Sequence, residues 1–283
     1  MPIDYDKLLA LKIPDVEQDY GAKDCMLYAL ALGLGRDPVD EKELAFVRGK
    51  TPKVLPTNAA TFGYPYHWLR DLDTGADYGK SVHGEQSLRM HRLMPPQGRL
   101  VSRLRVTEVI DKGPGKGAVV YIERKLDDAH GPLATLGASL FLRGDGGFGG
   151  PKRESPAPHP IPERAPDIVC DLPTRPETAL IYSLCGDDNP LHSDPVQARA
   201  VGFERPILHG LASFGLAGRA IVQTLCGYAP EKLTALAGRF SAPVYPGETI
   251  RTEMWRDGGV VSFRSKVVER DVVVLNNGRA EIA

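Results

Sequence analysis

Seven stretches of the chain alternate apolar and polar residues with a period of two. Three of them, RLVSRLRVTEVID, GAVVYIERKL and ATLGASLFLR, lie within 99–143. The other four, TALAGRFSAPV, TIRTEMW, VVSFRSKVVE and the terminal GRAEIA, lie within 234–283. Such alternation, rich in β-branched residues, predicts antiparallel strands with one covered face. Helical patterns precede each group. KDCMLYALALGLGRDP and RPETALIYSLCGDDNP read as amphipathic helices opening two halves, and Thr174 with Glu177 marks a capping box at the second. In GLASFGLAGRAIVQTL, Leu211, Phe214, Gly218, Ile221 and Leu225 fall near helical spacing. The small residues of that helix allow close approach to a sheet.

The stretch GDGGFGGPKRESPAPHPIPERAP is dense in Gly and Pro and lacks apolar periodicity, so it predicts a linker. The division expected is an N-terminal repeat over 1–150, a linker over 151–166 and a C-terminal repeat over 167–283. Each half holds a His-Gly pair, His83-Gly84 and His209-Gly210, 209 − 83 = 126 positions apart. The shared order of helix, His-Gly pair and strands predicts a duplicated unit of α+β class, a sheet wrapped around a central helix.

Composition narrows the function. A chain of 283 residues, 42% hydrophobic and 25% charged, is ordinary globular material for two domains or one large one. A net charge of −1 with no long basic run argues against nucleic acid as the main partner. Cys25, Cys170, Cys185 and Cys226 are scattered without a CxxC pair, which argues against a zinc site or a disulfide framework. No apolar run is long enough for a membrane helix. The start, MPIDYDKLLALKIPD, lacks a signal-peptide core, and the end, RAEIA, is not the peroxisomal tripeptide. A cytoplasmic, homodimeric protein is expected, peroxisomal if the source is eukaryotic.

The densest chemistry is CGDDNPLHSDP, Cys185 to Pro195. Asp, Asn, Pro and Ser are turn residues, yet Asp187 and His192 in one loop could also hold a water and move its protons. Asp194 before Pro195 reads as the cap of a short helix. In PILHGLA, a helix starting after His209 would leave its first N–H groups unpaired and positively polarised. Gly210 there serves either an oxyanion-binding N–H or tight packing. Asp187, His192 and His209 match no established metal-ligand spacing, so no metal is expected. Cys185 could pair with His192 as a nucleophile, but its place at the end of an apolar helix favours packing.

YSLCGDDNPLHSDPVQA with GFERPILHGLASFG resembles the signature of the MaoC-like hydratases, the 2-enoyl-CoA hydratase 2 group. The likeness extends through SVHGEQ, EVIDKG, GDGGFGG and RFSAPVYPGETIRTEMW, and so over nearly the whole chain. It implies a double hot-dog fold, two antiparallel sheets each wrapped on a long helix, and hydration of trans-2-enoyl-CoA to (3R)-3-hydroxyacyl-CoA. It further implies a catalytic set of Asp187, His192, Asn189 and Gly210, the last through its backbone N–H. His83, Gly84, Lys112 and Phe240 match acyl-CoA contacts, and Asp188, Pro190 and Leu191 of the loop join that substrate-binding set. No cofactor is implied, since CoA belongs to the substrate. The first half has no partner for the catalytic loop and is expected to bind without reacting. An acyl-CoA thioesterase and a non-catalytic acyl-CoA binding module are the alternatives on the same fold.

Overall fold

All seven alternating stretches become strands in the computed structural model, which describes residues 3–151 and 153–283. Met1, Pro2 and Lys152, the last within the expected linker, lie outside the described residues. The first half contains β1 (Val16–Tyr20), β2 (Ser81–Met90), β3 (Gly98–Asp111), β4 (Ala118–Asp128) and β5 (Gly131–Leu142). The second contains β6 (Ile168–Pro173), β7 (Leu233–Phe240), β8 (Thr249–Asp257), β9 (Val260–Val267) and β10 (Val272–Ile282). The helices are α1 (Tyr5–Leu9), α2 (Ala22–Ala31), α3 (Glu41–Leu44), α4 (Trp68–Asp71), α5 (Thr178–Ser183), α6 (Pro195–Ala200) and α7 (Gly210–Thr224).

The strands form one continuous antiparallel sheet rather than two, in the order β1-β3-β4-β5-β2-β7-β10-β9-β8-β6. The halves join where β2 pairs with β7, Glu85 opposite Arg239 through Arg89 opposite Ala235. That order repeats about the β2–β7 seam: β1 matches β6, β3 matches β8, β4 matches β9 and β5 matches β10. The repeat offset is therefore 168 − 16 = 152 at β1 and β6, shrinking to 272 − 131 = 141 at β5 and β10. It is not the spacing of the His-Gly pairs. His83-Gly84 lies on strand β2, whereas His209 caps α7 and Gly210 begins it. Gly84 is the extra residue of a bulge in the pairing with β5, and a Cβ there would stand 2.8 Å from Ser139 Oγ.

A second correction concerns the helices. Among the described residues only the second half carries a long central helix, α7, whose residues Leu211 to Val222 are all buried. The first half has a 3-10 turn over Pro56–Ala60 and the four-residue α4 instead. The 3-10 turn and α2 press directly on α7. A Cβ on Gly215 would lie 2.6 Å from Tyr28 Oη, and one on Gly218 would lie 2.6 Å from Thr57 Cγ2. The small residues of α7 thus admit the first half as well as the sheet. Burying a side chain such as Phe214 contributes about 1.5–3 kcal/mol. The same helix holds Arg219, whose Nη2 bonds Glu43 Oε1 at 2.6 Å and whose Nη1 donates to Leu32 O at 2.6 Å.

The capping box expected at Thr174 does not form. Helix α5 starts only at Thr178, and Thr174 Oγ1 donates to Glu248 O at 2.7 Å. The described residues of the linker form no regular secondary structure and are tied to both halves. Arg153 pairs with Glu108, Ser155 Oγ accepts from Lys112 Nζ at 2.7 Å, and Asn277 Nδ2 donates to His159 O at 2.9 Å.

Candidate active site

The loop between α5 and α6 carries the expected polar set, and its local order follows from its own sequence. Asn189 N donates to Asp187 Oδ1 at 3.3 Å, and Leu191 N donates to Asn189 Oδ1 at 3.0 Å. Asn189 so caps a 3-10 turn of Pro190, Leu191 and His192. Proline at its first position suits this turn, because its missing N–H is not needed there. Asp194 closes the loop by capping α6, accepting from Val196 N at 2.7 Å.

Two side chains lace this loop to the segment before α7. His192 Nδ1 donates to Ile207 O at 2.8 Å, and His209 Nε2 donates to Asp187 O at 3.1 Å. The first bond leaves His192 Nε2 as a free lone pair. The two imidazole rings stack, with centroids 3.7 Å apart and planes 29° from parallel. Asp187, His192 and His209 each bring one polar atom within 4.8 Å of the others. The residues suit a metal by type, but His192 Nδ1 and His209 Nε2 are each occupied by a backbone carbonyl, Ile207 O and Asp187 O. That geometry fits a proton-handling pair better than tetrahedral ligation.

Burial sets the electrostatics. It raises the Asp187 carboxyl above the ordinary carboxylate range, against the opposing pull of His192. It lowers the His192 imidazole, against the pull of Asp187. Such a pair exchanges protons as a unit. Burial also pushes the Cys185 thiol up to about 12, so a thiolate nucleophile is disfavoured.

Gly210 stands at the positive end of the 15-residue α7. Among the described residues no protein acceptor takes its N–H. A Cβ on it would sit 3.3 Å from Phe240 Cε1, so the Phe240 ring lies directly on this glycine. Phe240 in turn meets His83 edge-on at 4.9 Å. His83 Nε2 bonds Glu85 O at 3.0 Å, and burial pushes its imidazole down to about 4. Gly210, Phe240 and His83, with Gly84 beside it, therefore form one cluster across the seam. Lys112 belongs elsewhere: its Nζ reaches Ser155 of the linker. Asp188 points outward beside His67, 3.4 Å away, and its side chain is 80% exposed.

The first half is not an empty partner. The Tyr66 ring stands 3.5 Å from where a Cβ of Gly186 would be, and Tyr64 packs on Tyr66 with centroids 4.8 Å apart. The buried Arg124 holds this wall by donating to Ala60 O at 2.7 Å and to Phe62 O, with its guanidinium 5.1 Å from the Tyr64 ring. A cavity of about 10 Å³, room for about one water, is lined by Tyr64, Gln86, Ile122, Arg124 and Leu211. A larger groove of about 770 Å³ crosses the β2–β7 seam under linker residues Pro156 to His159 and contains none of the loop residues. Its Arg89 and Arg239 are paired with Glu281 and Glu85. Tyr64, Tyr66, Arg124 and His209 were missed as site residues. The readable signal was Arg124, which occupies the buried parity of β4 between Ile122 and Leu126.

Residues 18–144 match the MFE-2 hydratase 2 N-terminal domain, and residues 158–278 match the MaoC like domain. An enoyl-CoA hydratase of Mycobacterium tuberculosis is 39% identical over 98% of both chains. The chain belongs to the MaoC-like hydratase 2 family. The peroxisomal enoyl-CoA hydratase 2 of Arabidopsis thaliana is 39% identical over 95% of this chain and 93% of its own. A crystal structure of a MaoC-like dehydratase from Phytophthora capsici superposes with a TM-score of 0.87 at 33% identity, over 98% of each chain. No helix among the described residues is long and apolar enough to cross a membrane.

Proposed function

We propose that the protein reversibly hydrates trans-2-enoyl-CoA to (3R)-3-hydroxyacyl-CoA. The observation that carries this reading is the convergence of a half-buried carboxylate, Asp187, with a buried neutral imidazole whose Nε2 is free. The unpaired N–H of Gly210 lies one residue beyond the ring that stacks on that imidazole. Its family relatives bear enoyl-CoA hydratase names, which supports the same substrate class.

In this mechanism the thioester oxygen accepts from Gly210 N–H, aided by the α7 dipole. A water between Asp187 and His192 gives a proton to the pair as its oxygen bonds to the β-carbon. The C–C π electrons move toward the thioester oxygen, and the resulting enolate is held at Gly210. A proton then passes from the pair to the α-carbon on the same face, and the site is restored. Asn189 keeps Asp187 and His192 on one turn through its two bonds. The repeat 167–283 reacts and the repeat 1–150 binds, its Tyr66 ring standing against the loop at Gly186. Phe240 and His83 flank the thioester. Lys112, which pairs with no carboxylate among the described residues, remains a charge for CoA phosphate. No cofactor beyond the substrate's own CoA is needed. Four free cysteines suit a reducing cytosol, and the short edge strands β1 and β6 leave pairing surface for a homodimer.

The test is a parallel assay of hydration and of free CoA release over a series of trans-2-enoyl-CoA chain lengths. Loss of the conjugated enoyl absorbance without thiol release supports hydration. Thiol release would establish a thioesterase instead, and binding without turnover would reject catalysis.

A further inference from the structure

We infer that His209 is a positioning residue that locks the water-handling pair to the oxyanion-binding helix end, a role that rests on the hydration reading above. Its side chain touches several parts of the site. Its Nε2–H holds the Asp187 carbonyl at 3.1 Å. Its ring lies flat on His192 at 3.7 Å. Its own backbone caps α7, so the next N–H along the chain is that of Gly210. It is only 1% exposed, and its far face packs against the Tyr182 ring at 4.8 Å. The residue therefore spans the water pair and the oxyanion donor with one rigid imidazole.

Two separable effects follow. The Nε2–H bond fixes the Asp187 main chain, and with it the angle at which the carboxylate meets the water. Misplacing a catalytic group by about 1 Å can cost on the order of 10²-fold in rate. The stacked ring does something different: it seals one face of His192 from water. Burial pushes His209 down to about 2, so this covering ring stays neutral and adds no charge beside His192. The ionisable groups around His192 are Asp187 on its own loop, His209 before α7, Tyr182 on α5 and, from the first half, Tyr64 and Tyr66. Cys185, Asp188 and His67 stand farther along the same rim. Burial raises the four phenol and thiol groups above neutral range, so Asp187 is the anion that His192 senses directly.

The experiment uses two substitutions in the full chain. His209→Phe keeps a flat ring over His192 but removes the donor to Asp187 O. His209→Gln keeps an N–H donor at similar reach but removes the ring. For hydration of a trans-2-enoyl-CoA, His209→Phe is expected to lower kcat about 10- to 100-fold with KM within threefold, while the acid limb of kcat/KM stays in place. His209→Gln is expected to recover most of kcat but to shift that limb to higher pH, because His192 regains water and moves back toward its ordinary value. Titration of the His192 ring by NMR in each protein reads the second effect without turnover. If the wild type fails to hydrate, the functional reading falls, while an upward move of His192 in His209→Gln still supports the lock. An unmoved His192 in His209→Gln, or kcat within twofold of wild type in His209→Phe, overturns it. So does an equal fall of activity and Tm in both variants with no change in the pH profile, which marks plain structural support.

Discussion

Replacing Asp187 by asparagine removes one charge and little else. The Oδ1 that accepts from Asn189 N at 3.3 Å survives as the amide oxygen, so the turn carrying His192 is kept. What disappears is the carboxylate that shares the water with His192. General acid–base help of this kind is worth about 10²–10⁴-fold, or roughly 3–5 kcal/mol at 1.36 kcal/mol per tenfold. A continuous hydration assay should therefore find kcat lower by at least ~100-fold, with KM within a few-fold. Stability should move the other way. Burial raises the Asp187 carboxyl, so the folded protein holds that proton more tightly than the unfolded chain. The penalty of the ionised form is full above the folded pKa and fades as pH falls toward the unfolded value, about 3.9. The neutral amide removes that penalty at neutral pH. A gain on the order of 1 kcal/mol corresponds to a Tm rise of about 2–4 °C. The reasoning is refuted if kcat stays within tenfold of wild type, or if the variant melts lower than wild type.

Three further outcomes are expected. The residual activity of Asp187→Asn should show its acid limb at lower pH than wild type, because the carboxylate that raised His192 is gone; an unmoved or higher limb in the pH profile would contradict this. Gly210→Ala places a Cβ 3.3 Å from Phe240 Cε1 at a helix start that accepts alanine, so kcat should drop about tenfold while Tm stays within ~2 °C. Equal activity in that variant would mean that the Phe240 ring does not frame the thioester. Arg219→Met leaves Glu43 buried with Gly35 N as its remaining partner, which should cost about 3–5 kcal/mol in a urea melt. Pairing it with Glu43→Gln should recover a large part of the loss, and failure to recover would argue against the ion pair as the cause.

Much of this architecture could be read along the chain, because its signals are local. Period-two alternation located seven strands, Asp194 with Pro195 marked α6, and the run from Gly210 marked α7. The water-handling loop stood out because Asp187, Asn189 and His192 lie within six positions. The misses are tertiary. Strand β2 escaped notice because Gly84 bulges it and breaks the alternation. Thr174 looked like a helix cap because its spacing to Glu177 fits one, yet Glu248 O across the fold claims its hydroxyl. Strand order shows the duplicated unit, but the two His-Gly pairs are not equivalent positions in it, since a dipeptide carries no information about the element beneath it. Tyr64, Tyr66 and Arg124 reach the loop only because β4 and the segment after residue 56 fold over it. The merged sheet depends on β2 meeting β7, a pairing of distant strands that neither strand's pattern specifies.

The most direct measurement is the handedness of the product. Purified protein is incubated with a trans-2-enoyl-CoA, and the 3-hydroxyacyl-CoA formed is resolved by chiral chromatography. Asp187, His192 and Gly210 acting on one face of the double bond predict a single enantiomer, which the resemblance to the hydratase 2 group makes (3R), lost in Asp187→Asn. A (3S) product, or undiminished (3R) product from that variant, would contradict the account.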